Sequence, residues 1–236
     1  MFLYPAREDF TNYMAGILIA FEGVDGCGKG TQLRLVEDRL RRIGLGDRLV
    51  LNKIPGGTVL GDEVRRLLFE FVTTHAMEVN ACSLLYLVSH LQNLVENITP
   101  ALDDSKIVLS DRWDTYSGTV FGLRALRVPV HADVMRLRWS LAGVHPDLVI
   151  WMRGKPALFL DRAVSRTSEG HEAGKAWATA EKLGLLQDAY QDLFASVPGK
   201  VAPVDVQADA HPVTIFEEQV WPVVLNLLVE RGYAAR

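Results

Sequence analysis

The strongest chemical signal in the chain is a run of seven residues, Gly23-Val24-Asp25-Gly26-Cys27-Gly28-Lys29, which satisfies the spacing GxxxxGK. Glycines at such positions let backbone N–H groups converge on phosphate oxygens, and a lysine at the end of the run reaches the outer phosphates. The run follows an apolar stretch, Ile17 to Phe21, and precedes Leu33, Val36, Leu40 and Ile43, which recur at helical spacing. Strand, glycine turn and helix start together bring the helix dipole to the same anion. The expected donor site is Gly23, Val24, Asp25, Gly26, Cys27, Gly28, Lys29, Gly30, Thr31 and Gln32. Gly30 stands where most such loops place a metal-ligating hydroxyl, with Thr31 after it. Cys27 reads as a small residue filling the loop rather than a nucleophile.

A second group with chemistry lies at Asp111 and Arg112, after the apolar run Ile107 to Leu109. Phosphoryl transfer is mostly positioning and charge neutralisation, which calls for a guanidinium on the acceptor phosphate and a carboxylate near the metal. Arg162 and Arg166 are four apart, so on a helix both face one side and are able to meet transition-state charge.

The elements that must hold these groups are short apolar strands alternating with longer amphipathic segments. Strands are expected at 17–21, 49–51, 107–109, 148–152 and 201–206. Helices are expected at 31–43, 60–72, 80–102, 115–126, 130–141, 156–166, 176–195 and 213–231. Such alternation predicts an α/β fold with parallel strands and helices on both faces, and a ligand at the strands' carboxyl ends. Residues 1–15 read as an N-terminal extension and 16–236 as one phosphate-binding domain, with a polar, glycine-containing lid at about 166–175.

Composition narrows the partners. A net charge of −4 gives no global field for nucleic acid or an anionic membrane, and no segment approaches the roughly 20 apolar residues that span a bilayer. Two cysteines, Cys27 and Cys82, make no disulfide framework or metal cluster, which fits a reducing, cytoplasmic setting.

The segments FEGVDGCGKGTQ (21–32), PGGT (55–58), DRWD (111–114), PDLVIWM (146–152) and LDRAVSR (160–166) resemble the thymidylate kinase family in order and spacing. The resemblance implies a P-loop NTPase fold with a five-stranded parallel sheet, transfer of the ATP γ-phosphoryl group to a nucleoside monophosphate, Mg²⁺, and a homodimer. It assigns Lys29, Asp111, Arg112, Arg162 and Arg166 to catalysis, with Asp111 toward the metal through water, and Asp25 to the acceptor sugar. It makes Tyr86 the aromatic that stacks on the acceptor base, puts Pro55 and Arg112 beside the acceptor, and likens Gln207 to Val213 to the turn that holds the donor adenine.

The acceptor half departs from the pattern. Ile54 replaces an acid, Ser89 and His90 replace an Asp-Arg pair, and Val120 and Phe121 replace Tyr-Gln. A protonated His90, or Arg65, is the expected substitute for the lost arginine, and Tyr116 with Phe121 would make the pocket bulkier and more apolar. A different or modified nucleoside monophosphate, another small metabolite, and non-catalytic nucleotide binding therefore stay open beside thymidylate.

Overall fold

The computed structural model describes residues 15–74, 77–120, 130–166, 179–197 and 200–234. Five strands form one sheet: β1 (Ile17–Glu22), β2 (Leu49–Lys53), β3 (Ile107–Asp111), β4 (Leu148–Gly154) and β5 (Val201–Val206). All pairings are parallel and the spatial order is β2-β3-β1-β4-β5, so β1 is central. The chain leaves β1 toward one edge, returns with β3 at its side, and then crosses to β4 on the other side. Reversal of winding opens a crevice at the carboxyl end of β1, where the glycine run begins.

Apolar composition follows from burial on both faces. Ile17 to Phe21 and Ile107 to Leu109 are completely buried, as are Leu148 and Ile150, with Val149 and Met152 nearly so. The helices are α1 (Lys29–Arg42), α2 (Val59–Thr74), α3 (Val79–Asn93), α4 (Thr99–Asp103), α5 (Asp114–Val120), α6 (Ala132–Ser140), α7 (Pro156–Arg166), α8 (Ala180–Phe194), α9 (Pro212–Ile215) and α10 (Trp221–Glu230). Single π turns at Leu94–Ile98 and Phe216–Val220 join α3 to α4 and α9 to α10. The long helices expected over 80–102 and 213–231 are thus each interrupted by a wider turn, a feature that apolar spacing does not encode. The strands also outrun their expected ends, through Glu22, Asp111 and Gly154, so polar residues at the site belong to the sheet.

Several helix starts have local causes. Thr179 accepts the Lys182 N–H at 3.1 Å to cap α8, and the Glu78 carboxylate caps α3 through Ala81 at 2.9 Å. Gly28 caps α1 at φ 98°, a left-handed conformation that costs glycine nothing.

Candidate active site

The glycine run turns over the end of β1 in close contact with backbone. A Cβ on Gly23 would lie 2.5 Å from the Met152 carbonyl oxygen, and one on Gly26 2.0 Å from that of Phe159 in α7. Gly23 and Gly26 also have φ of 135° and 83°. Only glycine satisfies both the space and the conformation. Position 30 is different: a Cβ there would meet nothing within 4 Å, so the missing hydroxyl reflects residue type and not crowding.

Lys29 is nearly buried at 8 % exposure, and its ammonium donates to the Val24 carbonyl at 3.1 Å with Asp25 at 3.9 Å. The Cys27 thiol is buried and its pKa is pushed up by that burial, which makes it a packing group. Gln32, one turn into α1, donates to the Pro212 carbonyl at 2.9 Å, tying the loop's helix to the first residue of α9.

Asp111 ends β3 and pairs in register with Phe21 on β1 and Lys53 on β2. Its Oδ1 is buried with no hydrogen-bond partner among the described residues. Arg112 follows with φ 74°, an unusual conformation for a side chain with a Cβ, of the kind found at functional sites. The Arg112 guanidinium donates to the Gly23 carbonyl at 3.0 Å and to Asp25 at 2.5 Å. It stays protonated: burial disfavours the charge, but the carboxylates of Asp25, Asp111 and Glu22 and the Tyr190 oxygen together push its pKa well above the ordinary value. Burial likewise pushes the Asp25 carboxyl up, and the opposing charges of Arg112 and Lys29 outweigh it, so its pKa falls below normal.

Tyr86 on α3 lies in the field of Arg112, Asp25 and Arg65, and packing around its hydroxyl pushes the pKa up to about 12. Arg65 donates to the Pro55 carbonyl at 3.1 Å and lies over the Phe69 ring at 4.6 Å. The 54–58 segment is fastened to α3: Ser89 accepts the Gly56 N–H at 2.9 Å, and Asn93 donates to the Gly56 carbonyl. Asp25, Arg65, Tyr86 and Arg112 thus converge with Lys29 on one crevice, with Pro55 at its edge.

Two expected pocket residues lie elsewhere. His90 is fully buried, its Nε2 is 3.2 Å from the Ala142 carbonyl, and its ring meets Trp113 edge-on at 4.7 Å. Burial pushes its pKa down, so it is a neutral core residue and no substitute for a phosphate-binding arginine. Tyr116 packs against Phe194 and Trp139, at 5.3 and 6.3 Å between ring centroids, and belongs to the aromatic core. Arg162 lies on α7, which abuts the loop at Gly26. Arg166 ends that helix, and its side chain, Phe121, and the 167–175 part of the expected lid lie outside the described residues.

Sequence reasoning missed three residues that frame the site. Glu22, at the last position of β1, is fully buried and accepts from the Trp113 N–H at 2.6 Å, Ser117 Oγ at 2.7 Å and the Tyr190 hydroxyl at 2.8 Å. Its signal was present, because an acidic residue between an apolar strand and the first loop glycine has to be paired. Tyr190 and Ser117 offered none; they sit on helical faces that read as ordinary core.

This sheet order, with a glycine turn and lysine at the end of the central strand, defines an α/β P-loop nucleoside triphosphate-binding protein. The thymidylate kinase family model matches residues 21–210. The chain is 32 % identical over 198 residues to a thymidylate kinase of Synechococcus sp. (strain RCC307), covering 82 % of this chain and 92 % of that one. It is 32 % identical over 194 residues to one from Trichlorobacter lovleyi, covering 80 % and 89 %. The crystal structure of thymidylate kinase from Ehrlichia chaffeensis shares the fold, with a TM-score of 0.67, 23 % identity, and coverage of 89 % of this chain and 98 % of that one. The chain belongs to the thymidylate kinase family, and is an ATP-dependent nucleotide kinase of that type.

Proposed function

We propose that the protein transfers the γ-phosphoryl group of ATP to thymidylate or a closely related nucleoside monophosphate. The observation that carries this reading is the Arg112 guanidinium, turned by a positive-φ backbone onto Asp25 beside Lys29. A planar, permanently charged fork at that place suits an acceptor phosphate facing the donor's outer phosphate. Loop N–H groups and the Lys29 ammonium hold the polyphosphate, the ammonium exchanging the Val24 carbonyl for phosphate oxygens. Tyr86 supports the acceptor base, while Asp25 takes the sugar and steadies Arg112. An acceptor phosphate oxygen bonds to the γ-phosphorus as the bond to the β–γ bridging oxygen breaks, and ADP leaves. Arg162 and Arg166 are assigned to the charge that builds on the transferred group.

The Asp111 carboxylate, whose Oδ1 has no hydrogen-bond partner among the described residues, would hold Mg²⁺ directly or through water. Among the described residues no three acidic, histidine or cysteine side chains group as a metal cage, which agrees with a cation that arrives with its nucleotide. Bound Mg²⁺ would neutralise phosphate charge and align the β and γ oxygens. The same reading makes the protein a cytoplasmic homodimer; no described helix is long and apolar enough to cross a membrane.

A coupled ADP-release assay against a panel of nucleoside monophosphates tests the assignment. Thymidylate should stimulate turnover, and Lys29→Ala should lower it by at least about a hundredfold. Magnesium-ATP binding with no acceptor-stimulated turnover would instead support a nucleotide-binding protein without transfer activity.

A further inference from the structure

We propose that Glu22 is a positioning residue: its buried carboxylate holds the backbone turn that aims Arg112 at the acceptor, with Tyr190 steadying it from α8. This rests on the kinase reading above.

A left-handed backbone is strained for arginine, whose Cβ crowds the following carbonyl, unless its surroundings impose the conformation. The Arg112 N–H is already committed to the Phe21 carbonyl at 3.0 Å, which continues the pairing of β3 with β1. The next N–H, that of Trp113, is drawn inward to Glu22 Oε1 at 2.6 Å. With the amides of two successive residues both anchored to β1, the carbonyl and side chain between them have little freedom. The left-handed turn that results sends the guanidinium over the glycine loop, to Gly23 and Asp25. The other carboxylate oxygen, Oε2, takes Ser117 and Tyr190, and these two hydroxyls are 3.1 Å apart. Ser117 in turn lies 3.4 Å from Arg112 Nη1, so Glu22 braces the arginine at its backbone and, through Ser117, near its tip.

An unmatched carboxylate in a dry core would be costly, and hydrophobic residues would pack β1 as well as its neighbours do. Burial still pushes the Glu22 pKa up, and three donors and the nearby Arg112 charge offset part of that cost. Glu22 does not face the crevice as Asp25 does. Its side chain is fully buried and bonded to the Trp113 N–H, and its effect on an acceptor must run through Arg112.

The test compares Glu22→Ala, Glu22→Gln, Tyr190→Phe and Arg112→Ala by crystallography, magnesium-ATP calorimetry and acceptor-dependent rates. In Glu22→Ala, Arg112 should leave the left-handed region and lose Asp25, kcat/KM for the acceptor should fall about 30-fold, and the magnesium-ATP Kd should stay within about twofold. Glu22→Gln should recover to within about fivefold of wild type, because its amide oxygen still accepts from Trp113 while both hydroxyls turn to accept from the amide nitrogen. In an Arg112→Ala background, Glu22→Ala should add less than about twofold. Equal losses in both backgrounds, or an ATP affinity that falls in step, would show a merely structural carboxylate and overturn the proposal. So would an Arg112 that keeps its turn and its Asp25 contact in Glu22→Ala. If Glu22→Ala does not fold, Tyr190→Phe, which keeps the ring stacked on Phe194, carries the same comparison with an expected loss of about threefold. Should wild type show no acceptor-dependent turnover, the kinase reading fails on its own, and the conformation of Arg112 in the variant crystals still decides whether Glu22 sets it.

Discussion

Arg112 lies between two carboxylates that respond to pH in opposite directions. Asp25 has its pKa lowered from the ordinary 3.8, so its ionised form favours the native state; that contribution is complete above about 3.8 and is lost as pH falls through the lower folded value. Glu22 has its pKa raised from 4.5 by burial, so its contribution is complete below about 4.5 and declines as pH rises through the higher folded value. Denaturant titrations across pH should therefore show the stability gap between wild type and Asp25→Asn narrowing on the acid side. The gap between wild type and Glu22→Gln should instead shift against wild type as pH increases. Parallel pH profiles for the two variants would contradict this assignment. Lys29 was legible from type and spacing and Arg112 from the charge that phosphoryl transfer requires, whereas Asp25 entered as an acceptor residue only through the family resemblance. His90 was not legible, because a histidine in a helix looks the same whether it faces a ligand or, as here, Trp113 and a core carbonyl.

Helices α3, α5 and α6 are joined around one buried ion pair. Arg138 on α6 and Asp114 at the start of α5 are both fully buried and bonded to each other, and Arg138 also donates to the Ser83 carbonyl at 2.7 Å and hydroxyl at 2.6 Å on α3. Gly118 leaves the room: a Cβ there would come within 1.8 Å of the guanidinium. Arg138→Met should destabilise the fold by about 3–5 kcal/mol in denaturant unfolding, because it strands a buried carboxylate, and adding Asp114→Asn should recover part of that loss. A cost below about 1 kcal/mol would mean that Asp114 finds another partner. At this scale the sheet was readable and the helix details were not. Doubly buried strands announce themselves by unbroken apolar runs, whereas the π turns at Leu94–Ile98 and Phe216–Val220 leave that spacing almost unchanged. Strand ends were underestimated because apolarity stops where the crevice begins, and Glu22 lies just past that limit.

At the scale of the whole molecule, three of the exposed apolar residues among those described form a helical row. Leu84 and Val88 on α3 and Val95 in the following π turn are 38 %, 41 % and 72 % exposed at spacings that keep them on one side. A second copy of the chain is the occupant that the family resemblance implies, and static light scattering should give twice the monomer mass. Val88→Asp should raise the dimer Kd by at least about tenfold while leaving magnesium-ATP affinity intact; a monomeric wild type at micromolar concentration would sink the idea. The contact between Gly26 and α7 has a consequence of its own. The loop glycine presses on the helix where the Phe159 carbonyl and the Ala163 amide come together, and Arg162 projects from that same turn. Main chain rests on main chain, so the gauge between polyphosphate cradle and arginine is cut into the scaffold itself. Substitutions of other side chains along α7 should therefore leave that gauge, and the reach of Arg162, unchanged.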